Sequence, residues 1–252
     1  MTVPGSKVTC AVLIIGDEIL SGRTQDTNLA AIARYLAQYG IDVPEARVVG
    51  DVPAEIVAAV NYLRTTYDYL ITTGGIGPTH DDITADCVAE AFGVALHEDQ
   101  SILDLLSSRW ELTPARRRMA RVPDGGFLVK NKVQGPPAFG IGNVFVLAGV
   151  PSIMRGMLED VGHRMRPGAV THSKTLRVDG SGEGVIAAPL EAVAKAHPDL
   201  SLGSYPFFSQ EGYGSNLVVR GRNAAEVEAA YAELEAALRA DGINGLSAVE
   251  GA

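Results

Sequence analysis

The most constraining feature of this chain is a glycine-rich stretch, residues 72–82 (TTGGIGPTHDD), between an apolar run and a helical pattern. Open α/β sheets bind ligands where the carboxyl ends of strands meet helix N-termini, so this position predicts a phosphate site. Gly74, Gly75 and Gly77 would let backbone N–H groups approach an anion closely. A tight strand-to-helix turn capped by Asp82 is the alternative interpretation.

Strand and helix patterns alternate through the first two thirds of the chain. Apolar runs predict strands at residues 8–15, 41–49 and 67–72, and helical spacing predicts helices at 29–36, 53–63, 83–92 and 98–110. This order predicts a doubly wound, mostly parallel α/β sheet. After residue 168 the pattern predicts a strand at 174–178, a helix at 185–196, two strands at 201–207 and 215–220, and a helix at 224–240. We therefore expect an α/β domain at 1–168 and a small α+β domain at 169–252.

Composition narrows the classes of partner. The 21 Lys and Arg residues against 30 Asp and Glu give a net charge of −9, which argues against a simple nucleic-acid binder. Cys10 and Cys87 lie in apolar patterns and are expected to be reduced core thiols. The sequence has neither a signal-peptide core nor a run approaching the roughly 20 apolar residues of a membrane span, so we expect a cytoplasmic protein with no membrane partner.

Acidic residues follow several of the predicted strands at the edge where the glycine stretch also lies. They are Asp17, Glu18, Asp51, Asp81 and Asp82. Converging carboxylates are costly without a cation, so this set predicts a divalent metal or a hydroxyl-rich ligand, with Asp81 and Asp82 as metal ligands. Asp82 or Asp51 could orient a water molecule. A solvated cap is the alternative for each residue taken singly, and a lone His80 is more typical of a surface loop.

A second polar feature is the basic run Arg116–Arg117–Arg118. It could clamp a phosphate, but a charge run of this kind usually lies on a solvated face, and we interpret it so. The sequence lacks a G-x-x-x-x-G-K-[ST] P-loop and the last glycine of G-x-G-x-x-G.

Three segments resemble the molybdopterin-binding (MoaB/Mog-like) family. They are residues 15–28 (IGDEILSGRTQDTN), 73–84 (TGGIGPTHDDIT) and 147–152 (LAGVPS). The variant is similar to the N-terminal domain of competence/damage-inducible protein CinA and to the matching domain of eukaryotic FAD synthases. Residues 180–184 and 204–206 resemble the small domain that follows in CinA-type proteins. Ala148 and Gly184 depart from the family pattern, which usually has proline and serine there.

This resemblance implies a three-layer α/β/α fold and a ligand pocket on the glycine stretch. It implies catalytic roles for Asp82 and Asp51, and ligand-binding roles for Thr73, Gly74, Gly75, Gly77, Pro78, Thr79, His80, Gly16, Asp17, Glu18, Asn28, Gly149, Pro151 and Ser152. The small-molecule ligand would be a nucleotide or a pterin. Relatives of this type commonly form trimers, so a homo-oligomer is expected.

Two activities follow from the resemblance. CinA-type and FAD-synthase-type domains are associated with hydrolysis of ADP-ribose or FAD that requires Mg²⁺, Mn²⁺ or Co²⁺, whereas Mog-type proteins bind molybdopterin and adenylylate it. The first, a pyrophosphatase that releases AMP, is our preferred hypothesis for this chain. Molybdopterin binding in cofactor biosynthesis and a non-catalytic nucleotide-binding domain are the alternatives.

Overall fold

The computed structural model describes residues 7–133, 135–209 and 212–249 of the chain. The chain divides into two compact units, Met1–Ala169 and Val170–Ala252. Among the described helices, none is both long enough and apolar enough to cross a membrane.

The first unit is built on a mainly parallel sheet. Its strands are β1 (Val8–Ile15), β2 (Ile41–Asp42), β3 (Ala46–Val49), β4 (Tyr69–Thr73), β5 (Leu96–Glu98), β6 (Arg121–Pro123), β7 (Phe127–Val129), β8 (Ala138–Ile141) and β9 (Val144–Leu147). The described residues give the sheet order β2-β1-β4-β9-β8-β7, with β3 also paired to β1. Strands β2, β3 and β4 run parallel to β1, and β9 runs parallel to β4, while β8 is antiparallel to both of its neighbours. Strands β5 and β6 form a separate antiparallel pair.

Helices cover both faces of this sheet. They are α1 (Asp17–Leu20), α2 (Asn28–Ala37), α3 (Pro53–Thr66), α4 (Thr84–Phe92), α5 (Gln100–Ser107), α6 (Pro114–Arg117) and α7 (Pro151–Gly162), with a 3-10 turn at Arg118–Ala120. Side chains of β1 alternate between two cores, as the two-residue period of a strand requires. Leu13 and Ile15 pack with α3, α4 and α5, whereas Val12 and Ile14 pack with α2 and α7. The three-layer α/β/α architecture is thereby confirmed.

The second unit is a smaller sheet-rich domain. Its elements are β10 (His172–Asp179), α8 (Glu183–Ala196), β11 (Ser201–Ser209), β12 (Gly212–Gly221), α9 (Ala224–Ala240) and β13 (Leu246–Val249). The strands pair antiparallel in the order β11-β12-β10-β13. This βαββαβ order is that of ferredoxin-like domains. Leu176, Leu217 and Leu234 join the sheet and the helices in one core.

Several element boundaries differ from the sequence prediction. The strand predicted at 41–49 is two short strands, because Pro44 between them has no N–H for the ladder. Helix α5 begins only at Gln100, where the Asp99 carboxylate caps it by accepting from the N–H groups of Ser101 and Ile102. Helix α1 and strand β13 were not predicted. The sequence also predicts a turn at residues 134–137 from the Gly135–Pro136–Pro137 run, and Gln134 of this segment lies outside the described residues.

Candidate functional site

The site is organised by the glycine loop, residues 74–82, which leaves β4 and enters α4. Gly74 has a φ of +104°, and a Cβ placed on it would lie 2.1 Å from the carbonyl oxygen of Ile15 in β1. Only glycine tolerates both this backbone conformation and this approach. The Gly74 N–H donates to the Leu147 carbonyl of β9 at 3.2 Å. The start of the loop is therefore fixed between the two central neighbours of β4.

The Asp82 carboxylate closes the glycine loop on itself. It accepts hydrogen bonds from the backbone N–H groups of Gly77 and Thr79, each at 2.7 Å, and a third from the Thr79 hydroxyl. A Cβ placed on Gly77 would lie only 2.7 Å from an Asp82 carboxylate oxygen, so glycine at this position lets the carboxylate approach the loop. Asp82 therefore shapes the loop, and it is not the N-cap of α4, a position that Ile83 occupies.

Thr84, the first residue of α4, anchors the other side of the loop. It is fully buried, its hydroxyl donates to the Gly74 carbonyl at 2.9 Å, and its N–H donates to the Gly75 carbonyl at 3.0 Å. These two bonds hold the first two loop carbonyls against the helix. Thr84 was not among the predicted site residues, although it lies only two positions after the acidic pair Asp81–Asp82.

Replacing Thr84 with valine keeps the side-chain shape but removes the hydroxyl. We expect Thr84→Val to lower the free energy of unfolding by about 1–2 kcal/mol, because the buried Gly74 carbonyl loses its donor. Thr84→Ser keeps the hydroxyl and is the control, with a smaller loss expected. Urea denaturation of both variants measures this difference, and equal losses would contradict the anchoring role.

The glycine loop forms one wall of a cavity of about 400 Å³. Gly75 and Ile76 line it, and within the described residues neither backbone N–H donates to an acceptor. Much of the remaining lining is apolar and includes Met119, Phe139 and Met157. A cavity with apolar walls and a few oriented polar groups is typical of a small-molecule site. Its free N–H donors suit an anionic group.

An acidic cluster, Asp17, Glu18, Asp51 and Asp81, meets this cavity at Glu18, which lines it. Asp17 and Asp51 are linked reciprocally: the Asp17 N–H donates to Asp51 Oδ2 at 3.0 Å, and the Asp51 N–H donates to Asp17 Oδ1 at 3.3 Å. Burial raises the pKa of Asp51 above its ordinary value, and the other three carboxylates raise it further, against the lowering effect of the Asp17 N–H. Ionised Asp51 is therefore held in a repulsive environment.

The turn at residues 148–150, which follows β9, lies against the start of the glycine loop. Gly149 lines the cavity and lies so close to Gly74 that a Cβ on Gly149 would be 3.2 Å from the Gly74 Cα. Buried Asn28 fixes this turn, since its Nδ2 donates to the Gly149 carbonyl at 2.8 Å. Pro151 and Ser152 begin α7 and are exposed.

The cavity collects some of the predicted site residues and leaves others outside its lining. Those that line it are Glu18, Gly74, Gly75, Gly77, Pro78, Asp82 and Gly149. Those outside its lining are Gly16, Asp17, Asn28, Asp51, Thr73, Thr79, His80, Asp81, Pro151 and Ser152. The His80 side chain is 97% exposed, and its Nδ1 lies 3.9 Å from Asp81 Oδ1. Within the described residues, no three His, Cys, Asp or Glu side chains are grouped as a metal site.

The prediction that the basic run Arg116–Arg117–Arg118 lies on a solvated face is wrong for Arg118. Its side chain is only 32% exposed and lines the cavity, while its Nη2 donates to the Asp82 carbonyl at 2.9 Å. Arg121 also lines the cavity but is held by Asp86 through two bonds of 2.6 and 2.7 Å. The arginine run was visible in the sequence, but its packing against the loop was not.

Residues 11–167 match a family described as a probable molybdopterin binding domain, which covers more than half of the chain. The chain belongs to this family. Residues 170–246 of this family member match the middle domain of FAD synthase, so the second unit also has a known counterpart.

Individual relatives agree with these two matches. A CinA-like protein of Gemmatimonas aurantiaca is 32% identical over 245 residues, covering 90% of this chain and 57% of the relative. A probable FAD synthase of Caenorhabditis briggsae is 28% identical over 255 residues, covering 90% of this chain and 49% of the relative. The chain thus spans about half the length of these two relatives.

This chain also has a counterpart among solved structures. The crystal structure of the protein CinA from Thermoplasma acidophilum is 33% identical, with a TM-score of 0.59, and the match covers 62% of this chain and 98% of that one. This likeness supports the α/β/α fold described above.

Proposed function

We propose that this chain hydrolyses adenosine-containing diphosphates such as FAD or ADP-ribose and releases AMP, in a reaction that requires a divalent cation. The observation that carries this proposal is the cavity whose glycine-loop wall offers free N–H donors and whose edge bears the acidic cluster. Donors beside carboxylates suit a phosphoanhydride bound with a cation. The likeness to a probable FAD synthase is a second support.

The glycine loop would hold one phosphate of the substrate. Backbone N–H groups of Gly75 and Ile76 face no acceptor within the described residues, and the loop leads into the N-terminus of α4, where partial positive charge favours anions. The apolar wall at Met119, Phe139 and Met157 would receive a planar ring of the ligand. Binding at these two walls would orient the anhydride towards the acidic cluster.

A divalent cation fits the acidic cluster by its chemistry. Mg²⁺ usually binds through one or two carboxylates together with substrate phosphate oxygens, so it does not need three preassembled protein ligands. Asp81, with Asp17 and Glu18 nearby, would supply the carboxylates, and a bound cation would also lower the repulsion that surrounds Asp51. The bound cation would polarise the phosphoanhydride.

In the proposed reaction, Asp51 and Asp82 have different tasks. Asp82 would keep the loop in its phosphate-binding shape, because its carboxylate already accepts three hydrogen bonds. Asp51 would orient the attacking water and take its proton. The water oxygen then bonds to one phosphorus, the bridging P–O bond breaks, and the two phosphomonoesters leave, one of them AMP.

Replacing Asp51 with asparagine tests this assignment. We expect Asp51→Asn to lower kcat by about 100-fold or more, since it removes a general base. Without metal, the same change should raise the melting midpoint by about 1–3 °C. The sign follows from the raised pKa, because the ionised form of Asp51 costs folded-state stability above that pKa, and asparagine carries no charge.

The measurement is AMP release from FAD and ADP-ribose with Mg²⁺, Mn²⁺, Co²⁺ or chelator, together with thermal melts. Glu55→Gln is the matched control, since it removes the same charge from an exposed side chain of α3 and should leave both readouts unchanged. Wild-type turnover in Asp51→Asn would overturn the role of Asp51. Binding without turnover under every metal would indicate a non-catalytic nucleotide-binding domain.

A second candidate function is molybdopterin binding, followed by transfer of AMP to its phosphate. The description of the matched family, a probable molybdopterin binding domain, favours it. The same cavity would take the pterin on its apolar wall and the phosphate on the glycine loop. ATP turnover that depends on added molybdopterin would support this function over hydrolysis.

A further inference from the structure

Three consecutive arginines point in three directions because they lie on a helical turn. Arg116 donates to the Glu111 carbonyl at 2.8 Å, and Arg117 is ion-paired with Glu98. Arg118 instead lines the cavity beside the glycine loop. Successive residues of a helical turn are about 100–120° apart, so a single member of such a run can face a site.

The hydrogen-bond donors of the Arg118 guanidinium are only partly satisfied by the described protein neighbours. Its Nη2 bonds the Asp82 carbonyl, but its Nε is buried and has no hydrogen-bond partner within the described residues. The carboxylate of Asp86 is 4.0 Å away and is already bound by both Nη atoms of Arg121. Buried donors are normally satisfied, so the unpartnered Nε shows that the described protein neighbours do not complete the contacts of this guanidinium. Because Arg118 also lines the cavity, a ligand there can supply a further acceptor.

The charge and shape of Arg118 define that acceptor. A guanidinium presents a planar fork of donors that matches phosphate oxygens, often through two parallel bonds. Gly75 and Ile76 line the same cavity, and their N–H groups, which donate to no acceptor in the described part of the chain, suit another anionic group. The lining of one cavity therefore contains two separate groups whose donors suit phosphate oxygens.

We propose that Arg118 binds the second phosphate of a diphosphate ligand whose first phosphate lies on the glycine loop, which makes the cavity selective for diphosphates over monophosphates. This inference rests on the proposed function for the identity of the ligand as a nucleoside diphosphate. It does not require that the ligand be hydrolysed. Arg118 is thus a specificity-determining residue of the site.

The test compares two ligands that differ by one phosphate. Binding of AMP and of α,β-methylene-ADP, whose P–C–P bridge resists hydrolysis, is measured by calorimetry with Mg²⁺ present. We expect wild type to prefer the diphosphate and Arg118→Gln to bind it about 10- to 100-fold more weakly, the loss typical of a charge-assisted contact. AMP affinity should change less than about threefold, because the glycine loop is intact.

Arg117→Gln is the matched control, since it removes a neighbouring arginine that is paired with Glu98. It should keep the wild-type preference. Arg118→Lys keeps the positive charge but lacks the planar fork of donors, so its affinity for α,β-methylene-ADP should lie between those of wild type and Arg118→Gln. This second variant keeps the test valid if glutamine at position 118 disturbs the glycine loop. Far-UV circular dichroism checks the fold of each variant.

Each outcome separates this inference from the proposed hydrolysis. An undiminished diphosphate preference in Arg118→Gln, an equal loss for both ligands, or the lack of any preference in wild type would overturn the role of Arg118. Diphosphate selectivity that depends on Arg118, in a protein that releases no AMP from FAD or ADP-ribose, would support this inference and reject hydrolysis.

Discussion

Gly74→Ala should destabilise the first unit by about 3 kcal/mol or more, which is at the upper end of single-residue effects. The new Cβ would lie 2.1 Å from the carbonyl oxygen of Ile15, and the φ of +104° is unfavourable for any residue with a Cβ. Neither partner can move cheaply, since Ile15 is the last residue of the central strand β1 and is only 2% exposed, and Gly74 directly follows the central strand β4. Urea denaturation followed by circular dichroism measures the loss.

Gly125→Ala is the matched control for this experiment. Gly125 also has a positive φ, of +78°, but a Cβ there meets no atom within 4 Å among the described residues. It should therefore cost only about 1 kcal/mol, the penalty of the backbone conformation alone. Equal losses in the two variants would show that the approach of Gly74 to Ile15 is not what makes glycine necessary.

Asp82→Asn should reduce both ligand affinity and turnover, with turnover falling by about 100-fold or more. Its carboxylate accepts from the Gly77 N–H, the Thr79 N–H and the Thr79 hydroxyl. An asparagine offers a single acceptor oxygen and turns an NH₂ group towards the remaining donors, so the loop loses its shape. Donors displaced by even 1 Å no longer stabilise the reacting phosphate, which is why the expected effect is large.

Calorimetric binding of α,β-methylene-ADP and AMP release from ADP-ribose together measure this prediction. Glu90→Gln removes the same charge from an exposed position on α4 and should change neither quantity. An Asp82→Asn variant that binds with wild-type affinity but does not turn over would contradict the loop-shaping role. That outcome would instead assign Asp82 directly to the water or to the cation.

Much of the fold could be predicted because local patterns and tertiary packing agree. Helix α9 has the predicted bounds, Ala224–Ala240, since its apolar stripe and its Asn223 cap are both local signals. The break at Pro44 was also a local signal, one that the apolar run around it concealed. Strand β13 is short and mostly exposed, and its pairing with β10 depends on a register that no local pattern encodes.

The candidate site was predictable in position but less so in the roles of its residues. The order of strand, glycines and helix along the chain predicts the glycine loop, and the motif itself contains Asp81 and Asp82. Whether a carboxylate such as Asp82 is free for chemistry depends on which N–H groups fold back onto it. Likewise, the contact of Arg118 with the cavity depends on the packing of a segment 36 residues further along the chain.

The central claim is that water cleaves the phosphoanhydride of a nucleotide bound in this cavity. The most direct measurement is mass spectrometry of the products formed from ADP-ribose and Mg²⁺ in ¹⁸O-labelled water. We predict AMP and ribose 5-phosphate, with one ¹⁸O atom incorporated into one of the two phosphates per cleavage, and no product with chelator. The absence of AMP, or turnover only when ATP and molybdopterin are supplied together, with adenylylated molybdopterin and pyrophosphate as products, would contradict hydrolysis as the function of this chain.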